Sequence, residues 1–150
     1  MKYEKYEPLL MSKDSLEFKF NSTGPKGDIS IVVQFMETAD PAIYNLAFGN
    51  LLTNGSIDDN VKNANLDRNK ILATVAATVY EFTAVYRDKL IFFAGSTHAR
   101  TRLYRMALTN NFEELSADFE MFGVNLQKAS FLVEPFKKGK EYYGFIVKRK

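Results

Sequence analysis

The sequence contains no cysteine and no tryptophan, and it has a single histidine. The lack of cysteine excludes disulfide bonds, a thiol nucleophile and cysteine-ligated zinc or iron–sulfur sites. A single histidine excludes a metal site built from several imidazoles. No apolar run approaches the roughly 18 residues that a membrane-spanning helix needs, and the polar start of the chain is unlike a signal peptide. These absences favour a soluble, cytoplasmic protein without a membrane segment or a cofactor.

The composition is that of a globular protein. Of the 150 residues, 46% are hydrophobic and 25% are charged. This length fits a single domain over residues 1–150, and flexible ends are expected at 1–12 and 148–150. The net charge is +2, and basic side chains gather at 137–140 and 148–150. Such runs can attract nucleic acid, but they are short and lack interleaved aromatic side chains, which favours solvated surface.

Alternating apolar residues predict strands in the first half of the chain. Phe18 and Phe20 alternate with polar residues, and Ile31, Val33 and Phe35 do so again after a dense turn signal at 22–28. This pattern predicts a β-hairpin with a long loop. Further strands are predicted at 43–51 and 56–61, with an Asn-Gly turn between them.

The periodicity then changes to that of a helix. Apolar residues recur at positions 71, 72, 75, 79, 82, 85 and 86. This spacing predicts a helix over about 67–87, with Asp67 capping its first backbone N–H groups. The apolar run at 90–94 predicts a strand buried on both faces.

A second helix is predicted over about 97–110, with a short helix or a continuation at 112–119. Apolar residues near 131–133 and 143–147 predict a closing hairpin that turns at Lys138-Gly139. The order of elements predicts an α+β fold. It would be a mainly antiparallel sheet of about six or seven strands with two main helices packed on one face. A strand–helix–strand crossover would make one strand pair parallel.

The junction between the buried strand and the second helix is the strongest candidate for a binding site. The first N–H groups of a helix lack partners within it and lie at the positive end of its dipole, so a Ser or Thr side chain or a phosphate can accept their hydrogen bonds. Glycine allows close backbone approach, and arginine binds phosphate or carboxylate in a bidentate manner. The candidate ligand-binding residues are Gly95, Ser96, Thr97, Arg100, Arg102, Tyr104 and Arg105.

Helical geometry separates the three arginines. At about 100° per residue, Arg100 lies about 60° from Leu103, beside the apolar stripe, whereas Arg102 and Arg105 share a more exposed flank with His98. The same residues also suit a purely structural role. Ser or Thr caps many helices, Arg100 can pair with a buried carboxylate, and exposed arginines are commonly solvated.

Asp58 and Asp59 form a second, acidic candidate. Hard cations such as Mg²⁺ take one or two carboxylates plus water, so a metal-dependent phosphoryl-transfer site using these aspartates is an alternative. Adjacent strand residues point to opposite faces, which instead favours structural roles for both, and we expect no metal site. The many Phe and Tyr side chains are typical of an aromatic core.

Several segments together resemble a family of small, mainly Bacteroidetes bacterial proteins described as a domain of unknown function. They are Tyr44-Asn45-Leu46-Ala47-Phe48-Gly49, Ile57-Asp58-Asp59, Ile71-Leu72-Ala73-Thr74-Val75-Ala76 and Gly95-Ser96-Thr97 with Arg100-Thr101-Arg102-Leu103-Tyr104. The resemblance covers roughly residues 15–125 and implies a bacterial, intracellular, stand-alone domain. It transfers no catalytic residue.

Three functional hypotheses follow. The first is a non-catalytic module that binds a phosphate-bearing or other anionic ligand, or nucleic acid, at the Gly95–Arg105 region. The second is a metal-dependent phosphoesterase or nuclease that uses Asp58 or Asp59. The third is a protein-interaction domain of a defence or toxin–antitoxin system, which requires an exposed apolar or edge-strand patch. The sequence leaves the ligand, the reaction and the oligomeric state open.

Overall fold

The computed structural model describes residues 3–58 and 67–150. Its helices are α1 (Arg68–Val85), α2 (His98–Asn110) and α3 (Phe112–Asp118). Its strands are β1 (Leu10–Met11), β2 (Glu17–Gly24), β3 (Gly27–Glu37), β4 (Ile43–Leu51), β5 (Ile57–Asp58), β6 (Leu90–Phe93), β7 (Phe119–Gln127), β8 (Ser130–Pro135) and β9 (Gly144–Arg149). The strands pair mostly antiparallel, and their combination with the three helices confirms the α+β class. None of the helices in the described part of the chain has the length and apolar character that crossing a bilayer requires.

The chain divides into two compact units, residues 1–36 with 46–86 and residues 37–45 with 87–150. In the first unit the strand order is β1-β2-β3-β4, with β5 beside β4. The predicted β2–β3 hairpin is confirmed, and its register places Phe18 opposite Val33 and Phe20 opposite Ile31. The ladder continues to Gly24 and Gly27, so the loop is much shorter than the turn signal suggested.

Helix α1 belongs to the same unit and buries a more polar stripe than its apolar periodicity predicted. Phe82 is fully buried and stacks on Phe35 of β3, with ring centroids 4.2 Å apart, whereas Val85 is 59% exposed. The other fully buried positions include threonines 74, 78 and 83. Each threonine hydroxyl donates to a carbonyl of the preceding turn, at 2.6–2.7 Å. This pairing is what lets a polar side chain lie in the core.

Asp67 precedes α1 but does not cap it with its side chain, so that prediction was wrong. Its Oδ2 instead accepts hydrogen bonds from the hydroxyl of Tyr6 and from Ser22 Oγ, the latter at 2.5 Å. The Tyr6 backbone N–H donates to Thr74 Oγ1 at 2.8 Å. These bonds tie the first residues of the chain to β2 and to α1.

In the second unit the strand order is β4-β6-β9-β7-β8. Residues 43–45 of β4 pair with β6 in parallel, which confirms the crossover, and the remaining pairs are antiparallel. One face of this unit's sheet carries the buried side chains of Ile91, Phe119, Met121, Phe145 and Val147.

The predicted closing hairpin at Lys138-Gly139 was wrong. Strand β8 pairs with β7, and β9 lies between β6 and β7. Strand β7 was not predicted. Of the two alternatives for residues 112–119, the short helix is confirmed as α3, and β7 begins directly after it. The hairpin turn is instead at Lys128 and Ala129, where Lys128 adopts a φ of 56°.

We expect that Tyr6→Phe lowers the free energy of unfolding by about 1–3 kcal/mol, because a hydrogen bond to a charged, partly buried carboxylate is lost. Chemical denaturation would measure the change. Tyr143→Phe is the matched control. Its ring is 48% exposed, so it should change stability by less than about 0.5 kcal/mol. Equal effects of the two substitutions would contradict the assigned role of Tyr6.

Candidate anion-binding face of helix α2

Side chains of Thr97 and Thr101 take part in the hydrogen bonds at the start of α2. Thr97 is the N-cap, and its Oγ1 accepts from the Arg100 N–H at 3.2 Å. Thr101 Oγ1 donates to the Thr97 carbonyl at 3.2 Å and accepts from the Gly95 N–H at 3.0 Å. Of the two predicted capping residues, Thr97 therefore caps the helix, and Ser96 is exposed.

Gly95 lies where the first turn of α2 comes too close to leave room for a side chain. A Cβ at this position would lie 2.4 Å from the Thr101 nitrogen and 2.6 Å from the Arg100 Cβ. Both distances are far below van der Waals contact, and the first involves backbone that cannot swing away. The absence of a side chain at Gly95 thus lets the first turn of α2 fold back against the end of β6.

The remaining predicted residues divide into two groups. Arg100 and Tyr104 are half-buried, and the Tyr104 ring meets Phe93 of β6 edge-on, with centroids 6.0 Å apart. Arg102 is exposed and Arg105 is half-buried. Neither guanidinium has a carboxylate partner or a hydrogen bond within residues 3–58 and 67–150.

Arg102 and Arg105 line a shallow, open pocket. The full lining is His98, Thr101, Arg102, Arg105, Glu141 and Tyr142. The shared flank of Arg102, Arg105 and His98 follows from helical geometry. Glu141 and Tyr142 lie just before β9, more than 30 residues further along the chain, and no local pattern pointed to them.

A histidine and a carboxylate meet at one side of the pocket. Glu141 Oε1 lies 4.0 Å from His98 Nε2, and both side chains are more than 70% exposed. An exposed pair at this distance contributes little to stability. Its main effect is to place a carboxylate beside the histidine, so the uncompensated positive charge of the pocket lies on the arginine side.

Hydrogen bonds to β8 and to the segment after it hold the Tyr142 hydroxyl. Its hydroxyl donates to Glu134 Oε1 at 2.9 Å and accepts from the Lys137 N–H at 3.2 Å. Burial raises the pKa of Tyr142, and the hydrogen bond to Glu134 raises it further. The hydroxyl proton is thus committed to Glu134, and Tyr142 acts as a neutral wall of the pocket.

Glu134 also accepts a hydrogen bond from Lys140 Nζ at 2.6 Å. This bond is the main reason that the pKa of Glu134 lies below its usual value, with the Tyr142 bond second. The same contact raises the pKa of Lys140. The three side chains therefore form a charged network between β8 and the loop before β9.

Of the two aspartates of the acidic candidate, only Asp58 lies within the described residues. Asp58 lies on β5 and pairs with Asn50 of β4, while Asp59 lies outside the described residues. Across 3–58 and 67–150, no group of three or more histidine, aspartate or glutamate side chains is arranged to hold a metal ion.

We expect that Thr97→Ala destabilises the protein by about 1 kcal/mol, because the Arg100 N–H loses its cap. The neighbouring Ser96→Ala is the control and should change the unfolding free energy by less than about 0.5 kcal/mol. Chemical denaturation would compare them. A larger loss for Ser96→Ala would show that the wrong residue is assigned as the cap.

The Glu134 network predicts a pH dependence. Because its folded-state pKa is lowered, Glu134 stabilises the fold above its unfolded pKa, and this contribution is lost as the pH falls through the folded pKa. We expect that Lys140→Met raises the pKa of Glu134 towards the ordinary glutamate value, as measured by NMR titration of the side-chain carboxyl. Lys138→Met, which removes a nearby lysine outside the network, should leave the midpoint unchanged. An unchanged midpoint in Lys140→Met would exclude the Lys140 hydrogen bond as the main cause of the lowered pKa.

Comparison with known proteins agrees with the family resemblance and adds no activity. The model of the family of unknown function DUF6934 matches residues 2–150. No curated protein and no solved structure matches the chain. Since the family match covers nearly the whole sequence, the chain belongs to DUF6934, a family of unknown function.

Proposed function

We propose that this protein is a non-catalytic binding module for a phosphate-bearing or other anionic ligand, held on the outer face of α2 by Arg102 and Arg105. The observation that carries the proposal is the pocket that these two arginines line, in which neither has a carboxylate partner among the described residues. Guanidinium groups are suited to this role because they donate planar, bidentate hydrogen bonds to phosphate or carboxylate oxygens.

The spacing of the two arginines supports an anion between them. Residues three apart are neighbours on a helix surface, and like charges in that relation repel each other. A bound anion converts this repulsion into two attractions. The helix therefore gains stability from a ligand as well as offering it hydrogen bonds.

The proposed ligand position lies further along α2 than the junction suggested by sequence. At the helix start Thr97 already caps the Arg100 N–H, and Thr101 bonds to both Thr97 and Gly95. We infer that the anion instead lies over the second turn, where the side chains of Arg102 and Arg105 supply the donors.

Glu141 limits the kind of ligand. Its carboxylate lies at the His98 side of the pocket and repels a polyanion that runs along the whole face. A compact phosphate or carboxylate group seated at the arginine side avoids this repulsion. We therefore favour a small anionic ligand or a single charged group over extended nucleic acid.

The test is an NMR titration of the labelled protein with inorganic phosphate, then pyrophosphate, then a short single-stranded oligonucleotide. We expect saturable shifts at residues lining the pocket, weakening with added salt. Arg102→Gln with Arg105→Gln should reduce phosphate affinity at least about tenfold, because a hydrogen bond to a charged group is worth about 1.5–3 kcal/mol.

Arg68→Gln is the matched control, since Arg68 is an exposed arginine on α1 outside the pocket. It should leave the phosphate shifts unchanged. Equal phosphate binding by the double variant and the unsubstituted protein would exclude this site, as would the absence of localised shifts with all three probes.

A further inference from the structure

Strand β8 is an edge strand with an apolar centre. It pairs with β7 on one side and ends the strand order of the described residues. Its three central residues are more than half exposed: Phe131 at 61%, Leu132 at 54% and Val133 at 52%. Natural edge strands are usually protected by charges, prolines or a covering element, and here Pro135 protects only the end of the strand.

The hairpin register determines which backbone groups of β8 face outward. Gln127 and Ser130 flank a two-residue turn and are opposite each other, so they form the first hydrogen-bonded pair of the ladder. Pairs then alternate, which directs the N–H and C=O groups of Leu132 towards β7. The corresponding groups of Phe131 and Val133 point away from β7, where a further strand can reach them.

The exposed side chains around β8 form a continuous apolar surface. Phe131 lies opposite Leu126, which is 53% exposed, and its ring centroid is 6.2 Å from that of Tyr143, which is 48% exposed. Val133 lies on this same face, two residues along the strand. Contiguous exposed apolar surface of this kind marks protein–protein contact sites.

We propose that β8 pairs antiparallel with β8 of a second copy of this chain, with Leu132 of both copies at the twofold axis. In this register Phe131 of each copy lies opposite Val133 of the other, and the outward N–H and C=O groups of both residues form two hydrogen-bonded pairs. The contact is the same on both copies, so it closes as a dimer and leaves no β8 edge for a third chain.

Charge and length favour a second copy as the occupant. In this register no like charges lie opposite each other, since Glu134, whose carboxylate stays bonded to Lys140, lies opposite the uncharged Ser130 of the other copy and diagonal to its Lys128. Pro135 lacks an N–H group and ends the ladder on one side, and the turn at Lys128 and Ala129 ends it on the other. The free edge therefore has the length that a copy of itself fills.

The proposal does not depend on the anion site, because it rests on β8 and its backbone. The protein-interaction hypothesis drawn from the sequence requires an exposed apolar or edge-strand patch, and β8 is the strand proposed for that role. Its occupant is a copy of this chain, and an unrelated protein is the competing possibility that the experiment distinguishes.

The first measurement is the mass of the full-length protein in solution by light scattering and sedimentation across a concentration series. We expect a reversible monomer–dimer equilibrium. Val133→Lys should weaken dimerisation at least about tenfold, since it replaces the apolar partner of Phe131 of the other copy with a charge of the kind that protects natural edge strands from pairing. Val85→Lys is the matched control, because Val85 is an equally exposed valine on α1, and it should leave the dimer unchanged.

The second measurement tests the register and uses the absence of cysteine from the chain. Cα atoms of a directly opposed, non-hydrogen-bonded pair lie about 4.5 Å apart, within disulfide range, so Leu132→Cys should oxidise to a covalent dimer. Ser130→Cys is the control. In the proposed register its two copies are four residues out of alignment, about 13 Å apart, and should not cross-link.

A disulfide dimer from Leu132→Cys together with loss of dimer in Val133→Lys supports the proposal. A protein that stays monomeric throughout the series overturns it, even if another protein binds β8. A dimer that Val133→Lys does not weaken, or equal cross-linking of both cysteine variants, also overturns it.

Discussion

The second unit depends on the pairing of β9 along both of its edges. On one side β9 joins β6, with Ile91 opposite Val147, and on the other it joins β7, with Met121 opposite the same valine. Its side chain at Phe145 is fully buried. Strand β6 leads into α2, which bears the arginines, and β7 pairs with the edge strand β8. Because β9 pairs with both β6 and β7, it fixes where α2 begins and where β8 lies.

Close approach at glycine completes this arrangement. A Cβ at Gly123 of β7 would lie 2.1 Å from the Tyr142 ring, and one at Gly144 of β9 would lie 2.8 Å from the Phe92 ring. Two aromatic rings thus lie directly over strand backbone where no side chain intervenes. The Tyr142 ring gains its buried position in this way, and its hydroxyl is then directed to Glu134. Packing over a glycine therefore sets one wall of the pocket.

The sequence predicted what depends on neighbours along the chain. The β2–β3 hairpin, the bounds of β4 and a cap by Ser96 or Thr97 follow from alternation, from turn residues and from local hydrogen bonding, all within a few residues. Helix α1 was found for the same reason, but its buried stripe was not. Thr74, Thr78 and Thr83 have polar side chains. They can lie in the core because each hydroxyl donates a hydrogen bond to a carbonyl of the preceding turn.

What the sequence could not predict depends on distant residues. The Asp67 carboxylate could accept hydrogen bonds from two sets of donors. One set is the backbone N–H groups at the start of α1, and the other is the hydroxyls of Tyr6 and Ser22, which lie 61 and 45 residues away in the sequence. The structure has the bonds to Tyr6 and Ser22, which satisfy buried hydroxyls that would otherwise lose their hydrogen bonds on folding. The closing hairpin failed for a related reason. Local alternation identifies a strand but not its neighbour, and β9 pairs with β7 rather than with β8, the strand that precedes it in the chain.

The candidate pocket and the edge strand meet at a single hydrogen bond. Glu134 belongs to β8, and its carboxylate accepts from Tyr142, which lines the pocket. Shared support of this kind does not by itself make the two sites cooperative, since coupling requires an element with two arrangements that both ligands bias. The bond from Lys140 lowers the pKa of Glu134 and so favours the ionised carboxylate that accepts from Tyr142. The anion site uses Arg102 and Arg105 and the dimer contact uses the free edge of β8, so the Glu134–Tyr142 bond joins two sites that stand on different residues.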